Sequence, residues 1–432
     1  MHETPRLLGR FRPPGDKSIS HRSLILASLA SGTSLIRGLN PGADVQSSIR
    51  VLTQLGARFD VTPDGLRVTG TAGHLAGGVE LDCGNSGTTM RLLLGVLAGR
   101  PGFVRLTGDA SLSRRPMGRV AEPLRRMGAT IELAADDRPP IAITGSRLTP
   151  SAMPETVRSA QVKSALLLAG LTVDGITTVI EGVASRDHTE RILTQFGAAV
   201  QRVGRTVSLT GPVVLSGTTI DVPGDPSAAA FPLVGAAILP GSRVTAEAVS
   251  VNPTRRQWLD ILGRMGARVT ISNAVGPNGA GLEQEANVEP VAEVTVEAGA
   301  LLGVTIGDTE AALAMDELPI LAVAACCATG VTRIRDAGEL RVKESDRING
   351  MATGLTALGV RVEELPDGLV IHGGGPKFRF RAARVDSLGD HRLAMAFRIA
   401  GFKADGPVVI DGMNSAGVSD PAFEETVAGL LA

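Results

Sequence analysis

One token is written six times along this chain. It is a turn of small residues, a run rich in β-branched residues, then a second turn. Spelled out once it is Ser31-Gly-Thr-Ser-Leu-Ile-Arg-Gly38, and it returns at 102–108, 175–182, 241–247, 330–336 and 406–412. Each copy reads as a strand closed by a turn. An Ala/Leu-rich run of helical length precedes it, as at 20–30, 88–98 and 159–171. After most copies a second helical run stops at a glycine: Leu55-Gly-Ala57, Met127-Gly-Ala129, Phe196-Gly-Ala198, Met265-Gly-Ala267 and Leu358-Gly-Val360. Glycine just past the last apolar residue is the expected C-terminal cap. A strand or hairpin follows, with Pro63-Asp-Gly65 as the turn in 58–69. The unit is therefore helix, strand, helix, hairpin at roughly 65–90 residues, longer than a solenoid repeat. Six such units are enough for two α/β domains of three, the alternative being an ordinary α/β protein whose glycine spacing is fortuitous.

Composition excludes several alternatives. At 432 residues the chain has room for two or three domains. Hydrophobic residues make up 43% and charged residues 20%, which predicts a packed core rather than disorder. The 43 basic and 44 acidic residues balance, so the sequence shows no sign of a nucleic-acid or membrane-surface binder. An anion site must come from local clustering of Lys and Arg. The three cysteines, Cys83, Cys326 and Cys327, form no CxxC pair, which argues against a zinc site or a disulfide framework and fits a reducing cytoplasm. The first residues carry neither an apolar signal core nor an amphipathic leader, and the longest apolar runs fall short of a membrane span.

The chemistry concentrates where helices begin. The first helices of the six units start at Pro14-Gly-Asp-Lys-Ser-Ile-Ser-His-Arg22, Asp82-Cys-Gly-Asn-Ser-Gly-Thr-Thr-Met-Arg91, Arg158-Ser-Ala-Gln-Val-Lys163, Gly224-Asp-Pro-Ser227, Met315-Asp-Glu-Leu-Pro319 and Gly389-Asp-His-Arg392. Singly, such polar starts serve as N-caps. Together, helix N-termini facing one way would bind a polyanion, with Lys17, Arg22, Arg91 and Lys163 close by. The second helices begin at Ser113-Arg-Arg-Pro-Met117, Ser185-Arg-Asp-His-Thr-Glu-Arg191, Asn252-Pro-Thr-Arg-Arg256 and Arg341-Val-Lys-Glu-Ser-Asp-Arg347, with Pro116 and Pro253 suited to a first turn. The helix dipole disfavours cations there, so these arginines predict clamps on phosphate or carboxylate rather than a solvated face. Lys17, Asp316 and Glu344 are the acid–base candidates. His21, His188 and His391 read as structural or supporting residues. HExxH, GxSxG, the P-loop and GxGxxG are absent.

These segments resemble the 5-enolpyruvylshikimate-3-phosphate synthase family along essentially the whole chain. The matching pieces are Gly15-Asp-Lys-Ser18 through Arg22, Gly84-Asn-Ser-Gly-Thr88, Arg115-Pro116, Ser159-Ala-Gln-Val-Lys163, Asp316, Arg341–Arg347 and Asp390-His-Arg392. Arg186-Asp-His-Thr-Glu190 and Asn252-Pro-Thr-Arg255 are similar to the class II branch. The resemblance implies two inverse domains, 15–224 against 1–14 with 225–432, each of three βαβαββ repeats around a pseudo-threefold axis. It implies a transferase of the shikimate pathway, serving chorismate and aromatic amino acid biosynthesis. The enolpyruvyl group of phosphoenolpyruvate passes to the 5-hydroxyl of shikimate-3-phosphate through a tetrahedral intermediate, and phosphate leaves. Shikimate-3-phosphate would be held by Lys17, Ser18, Arg22, Ser159, Ala160, Gln161, Arg186, Asp316 and Lys343. Phosphoenolpyruvate would be held by Lys17, Gly87, Arg115, Gln161, Arg347 and Arg392. Asp316 would accept the hydroxyl proton, while Glu344 and Lys17 handle the methylene and phosphate-side protons. The resemblance further implies no cofactor or metal, no nucleic-acid or membrane partner, a cytoplasmic monomer, and a target for glyphosate.

Two features mark the limits of the match. The segment Gly417-Val-Ser-Asp-Pro421 lacks a lysine that some family members place there. The sister enzyme, UDP-N-acetylglucosamine enolpyruvyl transferase, uses a loop cysteine just before an Arg-Pro pair, and 108–115 here contains none. A non-catalytic anion-binding repeat protein is the other alternative. Carboxylates at Asp316 and Glu344 argue against it.

Overall fold

All six tokens are strands in the computed structural model, which describes residues 5–150, 157, 159–275 and 288–432. The chain divides into two units of contacts. One holds Gly15–Val222 with Glu283–Glu289; the other holds Met1–Pro14, Pro223–Leu282 and Pro290–Ala432. Each has its own continuous apolar core.

The 15–222 unit shows how one repeat is built. Strand Val79–Asp82 leads into helix Gly87–Ala98, then strand Phe103–Thr107, helix Gly118–Arg126, and the hairpin Thr130–Ala134 and Arg138–Thr144. The leading strand pairs in parallel with Phe103–Thr107, and the hairpin completes an antiparallel half-sheet. In the first repeat the leading strand is Thr219–Asp221, from the far end of the unit, paired in parallel with Thr33–Arg37. In the third, Val157 makes a parallel bridge to Glu181 ahead of helix Ala160–Gly170. The unit is therefore closed on itself by its last strand.

The second unit repeats the scheme. Leu8–Phe11 leads its first repeat, pairing in parallel with Arg243–Ser250 although 235 residues separate Leu8 from Arg243. Thr305–Ile306 leads the second and Ala383–Asp386 the third. The sixth repeat departs from the expected pattern. A 3-10 turn at Met413–Val418 and helix Phe423–Leu430 stand where the others carry a hairpin, and its sheet has two strands.

The first helix of every repeat is buried nearly all round, which explains its uniform Ala/Leu character. Close approach requires small residues: a Cβ on Gly95 would lie 2.1 Å from the carbonyl oxygen of Ala165 on the neighbouring helix. The predicted C-caps are present, with Gly56 at φ 108° and Gly266 at φ 105°, the left-handed side that glycine tolerates. Pro116 and Pro253 lie outside the first turns expected of them, because the helices begin later, at Gly118 and Gln257. Among the described residues no helix is long and apolar enough to cross a membrane.

Candidate active site

Each unit carries its own set of the expected site residues at its helix starts. In the 15–222 unit, Asp16 caps helix Lys17–Leu29 by accepting from the Ile19 amide at 2.9 Å. Gly15 must lack a side chain there, since a Cβ would sit 1.8 Å from the Gly38 carbonyl oxygen. The cap delivers Lys17, Ser18 and Arg22 along one stretch. Lys17 Nζ donates to Asp44 Oδ2 at 3.0 Å. Arg22 is held by three neighbours: Nε donates to Thr189 Oγ1 at 2.6 Å, Nη1 to the Ser18 carbonyl at 2.9 Å and Nη2 to Ser164 Oγ at 2.8 Å. Arg186 Nη1 reaches Ser18 Oγ at 3.4 Å.

The second and third repeats add the rest of this set. Ser86 caps helix Gly87–Ala98 through the Thr89 amide. Gln161, one residue inside helix Ala160–Gly170 with Ser159 at its N-cap, is oriented from both ends. Its Oε1 accepts from Arg91 Nη1 at 2.9 Å and its Nε2 donates to Thr88 Oγ1 at 3.0 Å. Arg115 donates to Asn85 Oδ1 at 2.7 Å and Ser111 Oγ at 3.2 Å. Ser18, Arg22 and Arg186 thus interlink, as do Gln161, Arg91 and Thr88. Arg158 lies outside the described residues.

In the second unit the focus is Arg347, 1% exposed, the first residue of helix Arg347–Ala357. Its Nε donates to Asp390 Oδ2 at 2.8 Å, its Nη2 to Glu344 Oε2 at 2.6 Å, and its Nη1 reaches Asp316 Oδ1 at 3.4 Å. Desolvation opposes the guanidinium charge, but Asp390, Glu344 and Asp316 together hold its pKa above the ordinary range. Arg392 Nη1 donates to the Asp316 carbonyl at 3.1 Å, and its Nη2 lies 3.6 Å from Asp316 Oδ2. Asp390 is fully buried and caps helix His391–Gly401 through the Arg392 amide. Burial pushes the Lys343 ammonium down, against the pull of Asp316 and Glu339.

The structure corrects several expectations. Lys163 is fully buried and pairs internally with Glu181 at 2.8 Å and Glu190 at 2.7 Å, so it is not a surface for anions. Arg255 is likewise internal, and Arg341 pairs with Asp346 and Glu364. Arg255 and Arg341 are therefore engaged by the protein's own carboxylates, whereas Arg347, in the same segment as Arg341, is the residue that gathers Asp316, Glu344 and Asp390. His21 is buried against Ser48, and desolvation, then Lys17 and Arg22, drive its pKa well below the ordinary value. Asp44, Thr189 and Ser164 were missed. Nothing in the local sequence marks Asp44 or Ser164, and the Arg186–Glu190 segment that contains Thr189 does not show that Thr189 meets Arg22.

One group of metal-ligand type exists among the described residues, Asp187, His188 and Glu289, with donor atoms within 4.8 Å. These residues already form ion pairs: His188 Nδ1 meets Glu289 Oε1 at 2.6 Å and Arg191 meets Asp187 at 3.0 Å. A guanidinium on one of the carboxylates makes the group a poor cation site.

Fold comparison places the chain first in a class. The enolpyruvyl transferase NikO of Streptomyces tendae has the same fold, with a TM-score of 0.79 at 20% identity over 100% of this chain and 96% of that one. An EPSP synthase structure from Acinetobacter baumannii is closer, at TM-score 0.84 and 41% identity over 99% of this chain and 96% of that one. The family model for EPSP synthase (3-phosphoshikimate 1-carboxyvinyltransferase) matches residues 1–427. The enzyme of that name from Gloeobacter violaceus is 49% identical over 98% of this chain and 96% of its own length. The one from Acidithiobacillus ferrooxidans is 48% identical over 99% and 96%. The chain belongs to the EPSP synthase family.

Proposed function

We propose that this chain joins phosphoenolpyruvate to shikimate-3-phosphate, with the residues of both units acting on one pair of substrates. The observation that carries the reading is the sharing of one buried guanidinium, Arg347, by Asp316 and Glu344. Two carboxylates held on a common cation are placed for proton-in, proton-out chemistry, and a pure anion binder gains nothing from them.

In the reading, Asp316 takes the proton of the shikimate 5-hydroxyl as that oxygen bonds to C2 of phosphoenolpyruvate. C3 takes a proton and becomes a methyl group. In the second step the C2–O bond to phosphate breaks, the methyl group returns a proton, and the enol ether forms. Glu344 and Lys17 serve the methylene and phosphate-side protons. Shikimate-3-phosphate is assigned to Lys17, Ser18, Arg22, Ser159, Ala160, Gln161, Arg186, Asp316 and Lys343. Phosphoenolpyruvate is assigned to Lys17, Gly87, Arg115, Gln161, Arg347 and Arg392. Preorganised guanidinium groups supply the electrostatic stabilisation of the charge that develops. A cytoplasmic monomer with residues 15–224 and 1–14 with 225–432 as its domains completes the proposal.

The test is phosphate release with both substrates, with either alone, and with UDP-N-acetylglucosamine as acceptor. Release only with shikimate-3-phosphate and phosphoenolpyruvate together is expected, with or without a chelator. Equal turnover of the sugar nucleotide overturns the reading.

A further inference from the structure

The segment Asn252-Pro-Thr-Arg255 was expected to clamp an anionic ligand, and it does something else. Asn252 Oδ1 accepts from the amide and hydroxyl of Thr254 at 2.8 Å each, and the Arg255 amide donates to the Asn252 carbonyl at 2.8 Å. This turn fixes Arg255, which is 1% exposed. Its Nη2 donates to Ser227 Oγ at 2.7 Å, reaches Asp225 Oδ1 at 3.3 Å and lies 3.6 Å from Glu317 Oε1. The hydroxyl of Ser227 donates to the same Glu317 oxygen. Glu317 is fully buried.

Glu317 follows Asp316 directly. Their shared peptide carries two carboxylates with different partners: Asp316 meets Arg347 and Arg392, and Glu317 meets Ser227 and Arg255. Glu317 also begins helix Leu318–Cys326, its carbonyl accepting from the Leu321 amide at 3.0 Å. A buried carboxylate that loses its cation is costly, so Arg255 secures the backbone on which Asp316 stands. An anion one residue away also opposes ionisation of Asp316 unless its charge is balanced.

We propose that Glu317 and Arg255 are positioning residues for Asp316, fixing its place and setting its charge state. The proposal rests on Asp316 being the proton acceptor, as assigned above. Among the described residues, the charged groups around Asp316 include Arg347, Arg392 and Lys343, with Glu344 and Asp390 on Arg347. Through the peptide come Glu317, Arg255 and Asp225, with Asp420 acting on Asp225.

The experiment is the pH profile of kcat, both substrates saturating, for wild type, Glu317→Gln and Arg255→Lys, with melting temperatures beside it. Glu317→Gln keeps the shape and the contact with Ser227 but removes one of the two carboxylates beside Arg255, and the lost negative charge favours ionised Asp316. Its acid limb moves to lower pH by about half a unit or more. Its kcat falls about tenfold through lost placement, with both KM values held within about threefold. Arg255→Lys keeps the charge and therefore the wild-type acid limb, while kcat falls. An unmoved acid limb in Glu317→Gln with kcat within about twofold of wild type overturns the proposal, whatever happens to its melting temperature. Wild type that fails to turn over the two substrates overturns instead the functional reading beneath it.

Discussion

Lys17 Nζ stands 3.0 Å from Asp44 Oδ2, and both side chains are largely shielded, at 14% and 9% exposure. The two residues sit on separate helices, Lys17–Leu29 and Ala43–Gln54, so the ion pair fixes where the ammonium points. Asp44→Asn keeps the size and removes the charge. The expected result is a fall in kcat/KM of about 10–100-fold, the usual consequence of a reacting group left loosely placed. Steady-state kinetics with each substrate varied in turn will show it, and an unchanged kcat/KM would remove Asp44 from the machinery.

Lys17→Met, Asp316→Ala and Glu344→Gln are each expected to lower kcat about 10²-fold or more. The fold should persist in Lys17→Met and Glu344→Gln, because Lys17 and Glu344 keep 14% and 21% exposure and stand outside the apolar cores. Asp316→Ala also strips a carboxylate from Arg347, which retains Asp390 and Glu344. Circular dichroism beside the kinetics separates loss of chemistry from loss of fold.

Gly87→Ala is expected to raise the glyphosate Ki more than the phosphoenolpyruvate KM. A Cβ at position 87 would lie 2.9 Å from Arg91 Nη1 and 3.2 Å from Arg115 Nη1, so a methyl group there displaces two guanidinium ends. The longer inhibitor has less room to follow them. Overpacking of this size costs about 1–3 kcal/mol, which corresponds to about five- to more than hundredfold in Ki. Equal factors in the two constants would show that position 87 does not discriminate.

Asp420 supplies a prediction about stability. Desolvation raises its pKa to about 6, with Asp225 adding to the shift and the Ala422 amide opposing it. The folded state therefore holds this proton more tightly than the unfolded chain, whose aspartate titrates near 3.9. The stabilisation is complete below the unfolded value and is lost as pH rises through the folded one. Asp420→Asn should remove that dependence and be more stable than wild type at pH 7 by about 1–3 kcal/mol, the difference vanishing near pH 4. Denaturant titrations at pH 4, 5.5 and 7 test it.

The sequence by itself determined the repeat, and with it the fold class. Periodic apolar runs, glycine stops and turn residues are local signals, so strands such as Phe103–Thr107 and caps such as Gly56 were legible. So were the helix starts that carry Lys17, Arg22, Gln161, Arg347 and Arg392, because capping residues and arginines stand next to each other in the chain. The tertiary structure decided which charges face which. Lys163, Arg255 and Arg347 look alike in sequence, each a cation near a helix start. Lys163 is consumed by Glu181 and Glu190, Arg255 by Asp225 and Glu317, and Arg347 gathers Asp316, Glu344 and Asp390. The first repeat of each unit likewise takes its leading strand from a remote stretch of chain, Thr219–Asp221 in one and Leu8–Phe11 in the other. Ion pairs and parallel pairings of this kind join residues tens to hundreds of positions apart. Their partners are set by how the helices and sheets pack, and no local pattern in the chain encodes that choice.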